Sequence, residues 1–237
     1  MDSYARYIEA VIEKQPINRI FEARSIYEKS CDMVPETSYY KTLERMSKYG
    51  TLVHLAKGVY YRPQKSRFGI VPIGEDEIID HYTRDNRGLV VGYRLYNRKG
   101  LTTQIGKQVE VLSSTISEQK KNVSNVCIKN AGVNITKETI PVIETLEILQ
   151  NYRKIEDMNQ IVFAAYMREF SSRYSDPAAI FVLNHRKYKK STIAFLERFL
   201  NYFKIENTLN QFLSSLSSYE IPTMEEFYGS AQTQSGI

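Results

Sequence analysis

The sequence predicts an α+β protein in which an N-terminal helical module precedes a mixed α/β domain with a helical C-terminal part. Three observations support this class. Apolar residues in the first 48 positions recur at helical spacing, and two short alternating runs follow them. Alternating β-branched segments occupy much of residues 88–129, and helical spacing returns from Ile140. With 237 residues, 42% of them hydrophobic, the chain can form one large or two ordinary domains.

Residues 19–63 have the order of a winged helix-turn-helix. A first helix is expected from Ser3 to Lys14, and a short helix follows from Arg19. After a break around Pro35 comes a second helix, and then a two-stranded hairpin that turns at Gly58. On the second helix, Tyr39, Leu43 and Met46 share one face at helical pitch and are predicted to be core residues. The sequence therefore favours a winged helix-turn-helix at the N-terminus.

A second face of the same helix is predicted to contact duplex DNA, because hydroxyls and cations in one row suit phosphates and base edges. An ordinary solvated amphipathic helix explains the helix alone better. The hairpin reverses that preference, because Lys57 lies in its turn. Two further cations, Lys65 and Arg67, follow the hairpin in the sequence. The predicted DNA-binding residues are Thr37, Ser38, Lys41, Thr42, Arg45, Lys48, Lys57 and Arg62.

The distribution of charge agrees with a nucleic-acid partner for the N-terminal module. Residues 1–67 contain 12 Lys and Arg against 8 Asp and Glu, a net charge of +4. The remaining residues contain 20 against 19, a net charge of +1. Most of the formal charge of +5 therefore lies in the first quarter of the chain, which favours affinity for polyanions.

The predicted domains are a DNA-binding domain at 1–68, a C-terminal domain at 69–228 that is α/β to about residue 150 and helical beyond it, and a disordered tail at 229–237. Strands are predicted at 88–92, 108–114 and 123–129, with a turn at 117–122 and a helix at 93–99. Further helices are predicted from 140 onward and at 157–174, 186–202 and 205–216.

The motifs of common enzymes are missing from the sequence. It has no Gly-rich phosphate loop, no nucleophile elbow and no zinc-binding helix, so we predict no catalytic residue, cofactor or metal site. Glu144 and Glu147 lie three residues apart and could in principle bind a metal. A solvated helix edge is the favoured interpretation of that pair. The basic run at 185–190 predicts a second nucleic-acid contact, with RNA as a candidate partner, through Arg186, Lys187, Lys189 and Lys190.

Two segments resemble the AbiEi-type antitoxin family of transcriptional regulators. They are Gly58-Val-Tyr-Tyr-Arg-Pro and the run Gly88-Leu-Val-Val-Gly-Tyr-Arg-Leu-Tyr-Asn-Arg-Lys-Gly-Leu-Thr-Thr-Gln. The resemblance covers about residues 15–150, and Gly106-Lys107 departs from it where family members often have proline. It implies a winged helix joined to an antitoxin domain, repression of its own operon at inverted repeats, and action against a nucleotidyltransferase-like toxin without a stable complex.

Two other classes of function remain open at this stage. One is a nucleic-acid-processing enzyme that its winged helix directs to its target, and the other is an RNA-binding or protein-interaction adaptor. The two cysteines are far apart and fit a reducing compartment better than a disulfide framework. No apolar run is long enough to span a membrane. We therefore expect a cytoplasmic regulator without a membrane partner.

Overall fold

The computed structural model describes residues 3–214 and 217–232. Ten α-helices and nine β-strands lie within these ranges, and together they form an α+β fold, as the sequence predicts. The chain divides into two compact units. The first runs up to Tyr82 and also includes Asn122–Val126, so it extends beyond the predicted boundary at residue 68. The second consists of Thr83–Lys121 and the chain from Cys127 onward.

The first unit begins with three helices and a small sheet. Its elements are α1 (Ser3–Glu13), β1 (Ile20–Glu22), α2 (Ala23–Ser30), α3 (Glu36–Lys48), β2 (Val53–Ala56) and β3 (Val59–Tyr61). The antiparallel sheet has the order β1-β3-β2, with Ile20 opposite Tyr61. The predicted helix from Arg19 is therefore wrong in its first turn. Three residues pair with β3 there, because sheet hydrogen bonds satisfy their backbone better than one turn of helix.

Three further elements follow along the chain. Strands β4 (Lys65–Ser66) and β5 (Gly69–Ile70) form a short antiparallel hairpin, and α4 (Glu75–Thr83) follows. The core lies between α1 and α3, where Ile8, Ile12 and Leu43 are completely buried. Tyr39 is equally buried, and its hydroxyl donates to the carbonyl of Ala23 at 2.9 Å. The predicted core face of α3 is thus confirmed.

The next region, residues 88–130, contains a four-stranded sheet and belongs to the second unit except for Asn122–Val126. Its elements are β6 (Gly88–Val91), α5 (Tyr93–Arg98), β7 (Val109–Ser113), β8 (Lys120–Val123) and β9 (Val126–Asn130), and the strand order is β6-β7-β9-β8. The predicted turn at 117–122 is partly wrong, because β8 already begins at Lys120 and the chain reverses at Ser124 with a φ of 50°. Gly92 precedes α5 with φ 64° and ψ −150°, a conformation that needs glycine.

Helices make up the rest of the second unit. They are α6 (Thr139–Asn151), α7 (Gln160–Ser172), α8 (Asp176–His185), α9 (Lys190–Tyr202) and α10 (Met224–Gln232). Their core contains Phe163, Phe195 and Phe199 in mutual ring contact, with ring centroids 5.2 to 6.4 Å apart. None of the helices in the described ranges is long and apolar enough to cross a membrane.

Three predicted C-terminal boundaries change. The helix predicted at 186–202 begins at Lys190, and a separate helix, α8, ends at His185. The segment predicted as helix 205–216 contains a single 3-10 turn, Leu209–Phe212, and its residues 215–216 lie outside the described ranges. Of the predicted tail, residues 229–232 belong to α10 and residues 233–237 are not described.

Candidate nucleic-acid interface

The outer surface of α3 carries part of the predicted DNA-binding set. Thr37, Lys41 and Lys48 are exposed, and Ser38 is half-buried. Among the described residues, neither lysine takes part in an ion pair. The surface is not purely basic, because Glu44 is also exposed. The arrangement leaves lysines and short hydroxyl side chains available to a polyanion, with one carboxylate among them.

Thr42 does not belong to this exposed surface. Its side chain is buried, with 5% of its area exposed, and its hydroxyl donates to the carbonyl of Ser38 at 2.9 Å. This burial does not support the predicted contact of Thr42 with DNA. Together with Tyr39, Leu43 and Met46 it completes the i, i+3, i+4, i+7 pattern of a core-facing helix stripe.

Arg45 is held by the first helix. Its Nη2 lies 2.8 Å from Oε1 of Glu9 on α1, and both side chains are about 40% exposed. A partly exposed pair of this kind contributes little to stability, but it orients the guanidinium towards α1. The predicted base contact of Arg45 therefore requires the side chain to exchange Glu9 for DNA.

The hairpin β2–β3 presents Lys57 at its turn. Lys57 is exposed, and Gly58 beside it has a φ of 73°, which suits glycine in a tight turn. Arg62, which follows the other end of β3, differs from Lys57 because its guanidinium is hydrogen-bonded to the protein backbone. Its Nη1 donates to the carbonyl of Gln15 at 2.6 Å and also to that of Glu13. Arg62 thus fixes the chain after α1, and the prediction that it contacts phosphate is not supported by its position.

Sequence reasoning missed a second hairpin with an exposed cation. In the turn between β4 and β5, the Arg67 guanidinium lies over the ring of Phe68, 4.6 Å from its centroid, and Phe68 is 85% exposed. Lys65 on β4 is also exposed. The run of cations after Arg62 was the available signal, but a two-residue strand has no periodicity that a sequence pattern can show.

The basic run at 185–190 separates into partly buried and exposed members. The side chain of Arg186 is only 19% exposed and donates to Glu147 at 3.0 Å and to the carbonyls of Asn130 and Ala131 at 3.1 Å. Burial opposes its charge, but Tyr188 and Glu147 outweigh that effect and raise the pKa of Arg186. These contacts do not support the predicted contact of Arg186 with nucleic acid.

The three lysines of this run differ in their surroundings. Lys187 and Lys189 are exposed, as a polyanion contact requires. Lys190 begins α9, and its ammonium group donates to the carbonyl of Phe212. Only the first two lysines therefore keep the freedom that the predicted second nucleic-acid contact demands.

The predicted solvated edge formed by Glu144 and Glu147 is also wrong. Both side chains are about nine-tenths buried. Glu144 accepts from Arg98 and from Lys99, each at 2.7 Å, while Glu147 is bound by Arg186. Buried carboxylates need such partners, because desolvation of an unpaired charge is costly. Within the described residues no group of three or more His, Cys, Asp or Glu is placed to hold a metal ion.

Comparison with known proteins gives a family but no activity. No curated protein matches the sequence at a significant level. Among solved structures, the chain is similar to that titled "Crystal structure of RV2827C protein from Mycobacterium tuberculosis", at 9% identity and a TM-score of 0.42, over 94% of this chain and 84% of that one. Residues 17–155 match a family model described as "Family of unknown function (DUF6088)". The chain therefore belongs to the DUF6088 family.

Proposed function

We propose that the first unit is a winged helix-turn-helix and that the protein is a sequence-specific DNA-binding regulator. The order helix, strand, helix, helix, strand, strand supports this assignment, as does the antiparallel arrangement β1-β3-β2. In this reading α2 and α3 form the helix-turn-helix, α3 enters the major groove, and the β2–β3 hairpin is the wing that meets the backbone.

The observation that carries the proposal is the exposure of unpaired lysines on both elements that a winged helix uses. Lys41 and Lys48 project from α3, and Lys57 lies at the turn of the β2–β3 hairpin. Lysine acts on phosphate as a mobile point charge, which gives affinity without reading sequence. Base reading then falls to Thr37, Ser38 and, once it releases Glu9, Arg45.

The proposed biological role is that of an antitoxin that represses its own operon. It rests on the resemblance to the AbiEi-type family, and the DUF6088 match spans both segments that carry that resemblance. In this proposal the first unit binds inverted repeats upstream of the operon. The second unit counters a nucleotidyltransferase-like toxin without a stable complex.

A mobility-shift titration of the full chain tests the DNA-binding part. The probe is a duplex from immediately upstream of the gene, and a scrambled duplex of equal length is the competitor. We expect preferential binding to the upstream duplex. Lys41→Gln combined with Lys57→Gln should weaken binding to both duplexes, because lysine–phosphate contacts carry no sequence information. Lys14→Gln is the matched control, since Lys14 is exposed and lies on neither element.

Two results would contradict the proposal. One is equal affinity for the upstream and scrambled duplexes, and the other is an identical loss of affinity in the Lys14 control. The antitoxin role needs a separate measurement, namely growth of cells that express the neighbouring toxin-like gene with and without this protein. Absence of rescue would remove that role while leaving DNA binding intact.

A further inference from the structure

The second unit contains a cavity of about 530 Å³ that the proposed DNA contacts do not use. It lies between the C-terminal end of α5, the first half of α6 and one side of α7. Its volume is within the range of sites that bind small organic molecules, roughly 300–1,000 Å³.

The charges that line the cavity do not balance. Glu169 pairs with Arg173 one helical turn away on α7. Glu144 is the other lining carboxylate, and it is shared by two cations, Arg98 and Lys99. The lining residues thus hold one positive charge more than the carboxylates neutralise. Because Glu144 is nearly buried, its partners are held at the wall of the cavity and not dispersed in solvent.

Lys99 is the cation best placed to act on a ligand. Its side chain is 30% exposed, whereas that of Arg98 is 53% exposed, so Lys99 is the more enclosed of the two. Its ammonium group also lies 5.5 Å from the centroid of the Tyr166 ring. The hydroxyl of Tyr166 is 2.8 Å from that of the buried Thr145, which fixes the ring. If Lys99 turns to a ligand, Arg98 still satisfies Glu144.

The uncharged part of the wall is mainly apolar. Pro141, Val162, Ala165 and Phe170 complete it beside the Tyr166 ring. A hydrated inorganic anion would leave these side chains without a partner, whereas a flat organic body would cover them. One surplus positive charge matches a monoanion better than a phosphomonoester, which carries nearly two negative charges at neutral pH.

We propose that this cavity binds a small aromatic carboxylate, with its carboxylate on Lys99 and its ring against the α7 wall. The cavity belongs to the second unit, whereas the proposed winged-helix surface belongs to the first. A small molecule bound here would therefore be a ligand of the second unit, and the proposal does not depend on DNA binding or on the antitoxin role.

Isothermal titration calorimetry of the full chain with 2-naphthoate tests the proposal. We expect saturable binding. Binding of 2-naphthalenemethanol, which keeps the ring and lacks the charge, should be weaker by roughly 10-fold or more, as should binding of naphthoate to Lys99→Gln. Inorganic phosphate should give no competing heat. Ala165→Phe should abolish binding by filling the cavity, and Ala165 is exposed on α7, so the larger side chain is compatible with folding.

Lys137→Gln is the control, because Lys137 is an exposed lysine that does not line the cavity. It should bind naphthoate as the unsubstituted chain does. The proposal is overturned if naphthoate gives no binding at millimolar concentration, or if phosphate or the alcohol binds equally well. It is also overturned if Ala165→Phe binds unchanged. The Ala165→Phe measurement tests the proposal even if the Lys99→Gln variant is unstable.

Discussion

Replacing Arg186 by alanine should destabilise the second unit strongly, although the residue lies in a basic run that suggests a surface role. Its guanidinium donates to Glu147, to the hydroxyl of Tyr188 at 3.0 Å, and to the carbonyls of Asn130 and Ala131. Removal leaves Glu147 buried with the Tyr188 hydroxyl, at 3.1 Å, as its remaining donor in the described structure.

The size of the effect follows from burial. Loss of one partner of a buried ion pair typically costs about 3–5 kcal/mol, because the other charge is left uncompensated. The Arg186 side chain keeps 19% of its exposure, so we expect the lower part of that range, about 3 kcal/mol. Urea denaturation followed by circular dichroism should show a midpoint lower by roughly 1 M.

Two further variants show whether the loss of stability comes from the Arg186–Glu147 ion pair and not merely from removal of a positive charge. Lys187→Ala, an exposed neighbour, should change the free energy of unfolding by no more than about 0.5 kcal/mol. Combining Arg186→Met with Glu147→Leu should recover much of the lost stability, because apolar side chains of similar size remove both charges together. If Arg186→Ala and Lys187→Ala unfold at the same urea concentration, the assignment of Arg186 as a buried structural residue is refuted.

Four other substitutions test by denaturation how residues pack within each unit. Leu43→Ala should lower the free energy of unfolding by about 2–5 kcal/mol, whereas Lys41→Ala should leave it nearly unchanged. Equal denaturation midpoints for the two variants would mean that the core-facing side of α3 is wrongly assigned. Thr42→Val should lower the free energy of unfolding by about 1 kcal/mol, because the hydrogen bond to Ser38 is lost. If this variant changes the preference for the upstream duplex over the scrambled duplex, the predicted base contact of Thr42 is supported after all. Gly92→Ala should cost roughly 1–3 kcal/mol, because its φ is positive and the added Cβ would lie 3.1 Å from Glu110; a neutral result would contradict that conformation.

The local features of the fold could be predicted from sequence because they depend on periodicity. The face of α3 that carries Tyr39 and Leu43 is an example, as is the strand that begins at Gly88. Thr42 shows where the method fails. It occupies an i+3 position of the same stripe, but its hydroxyl suggested a surface role. Strand β1 failed for another reason, because its three residues become a strand only by pairing with β3.

The charged groups of the second unit could not be predicted, because their partners are distant in sequence. Arg186 and Glu147 are 39 residues apart, and Arg98 and Glu144 are 46 apart. A pattern search compares neighbours within a few turns, so Glu144 and Glu147 were interpreted as a solvated edge and Arg186 as a nucleic-acid contact. Only the tertiary packing of α5, α6 and the segment before α9 brings opposite charges together. The packing of α5 and α6 with α7 creates the cavity beside Lys99.

The salt dependence of DNA binding tests the central claim most directly. We propose that Lys41 and Lys57 contact phosphates, and each such contact contributes about −0.9 to the slope of log affinity against log salt. The double variant Lys41→Gln, Lys57→Gln should therefore have a slope shallower than that of the unsubstituted chain by about 2, while Lys14→Gln keeps the original slope. Identical slopes for all three proteins would contradict the account, because they would mean that neither α3 nor the β2–β3 hairpin meets the DNA backbone.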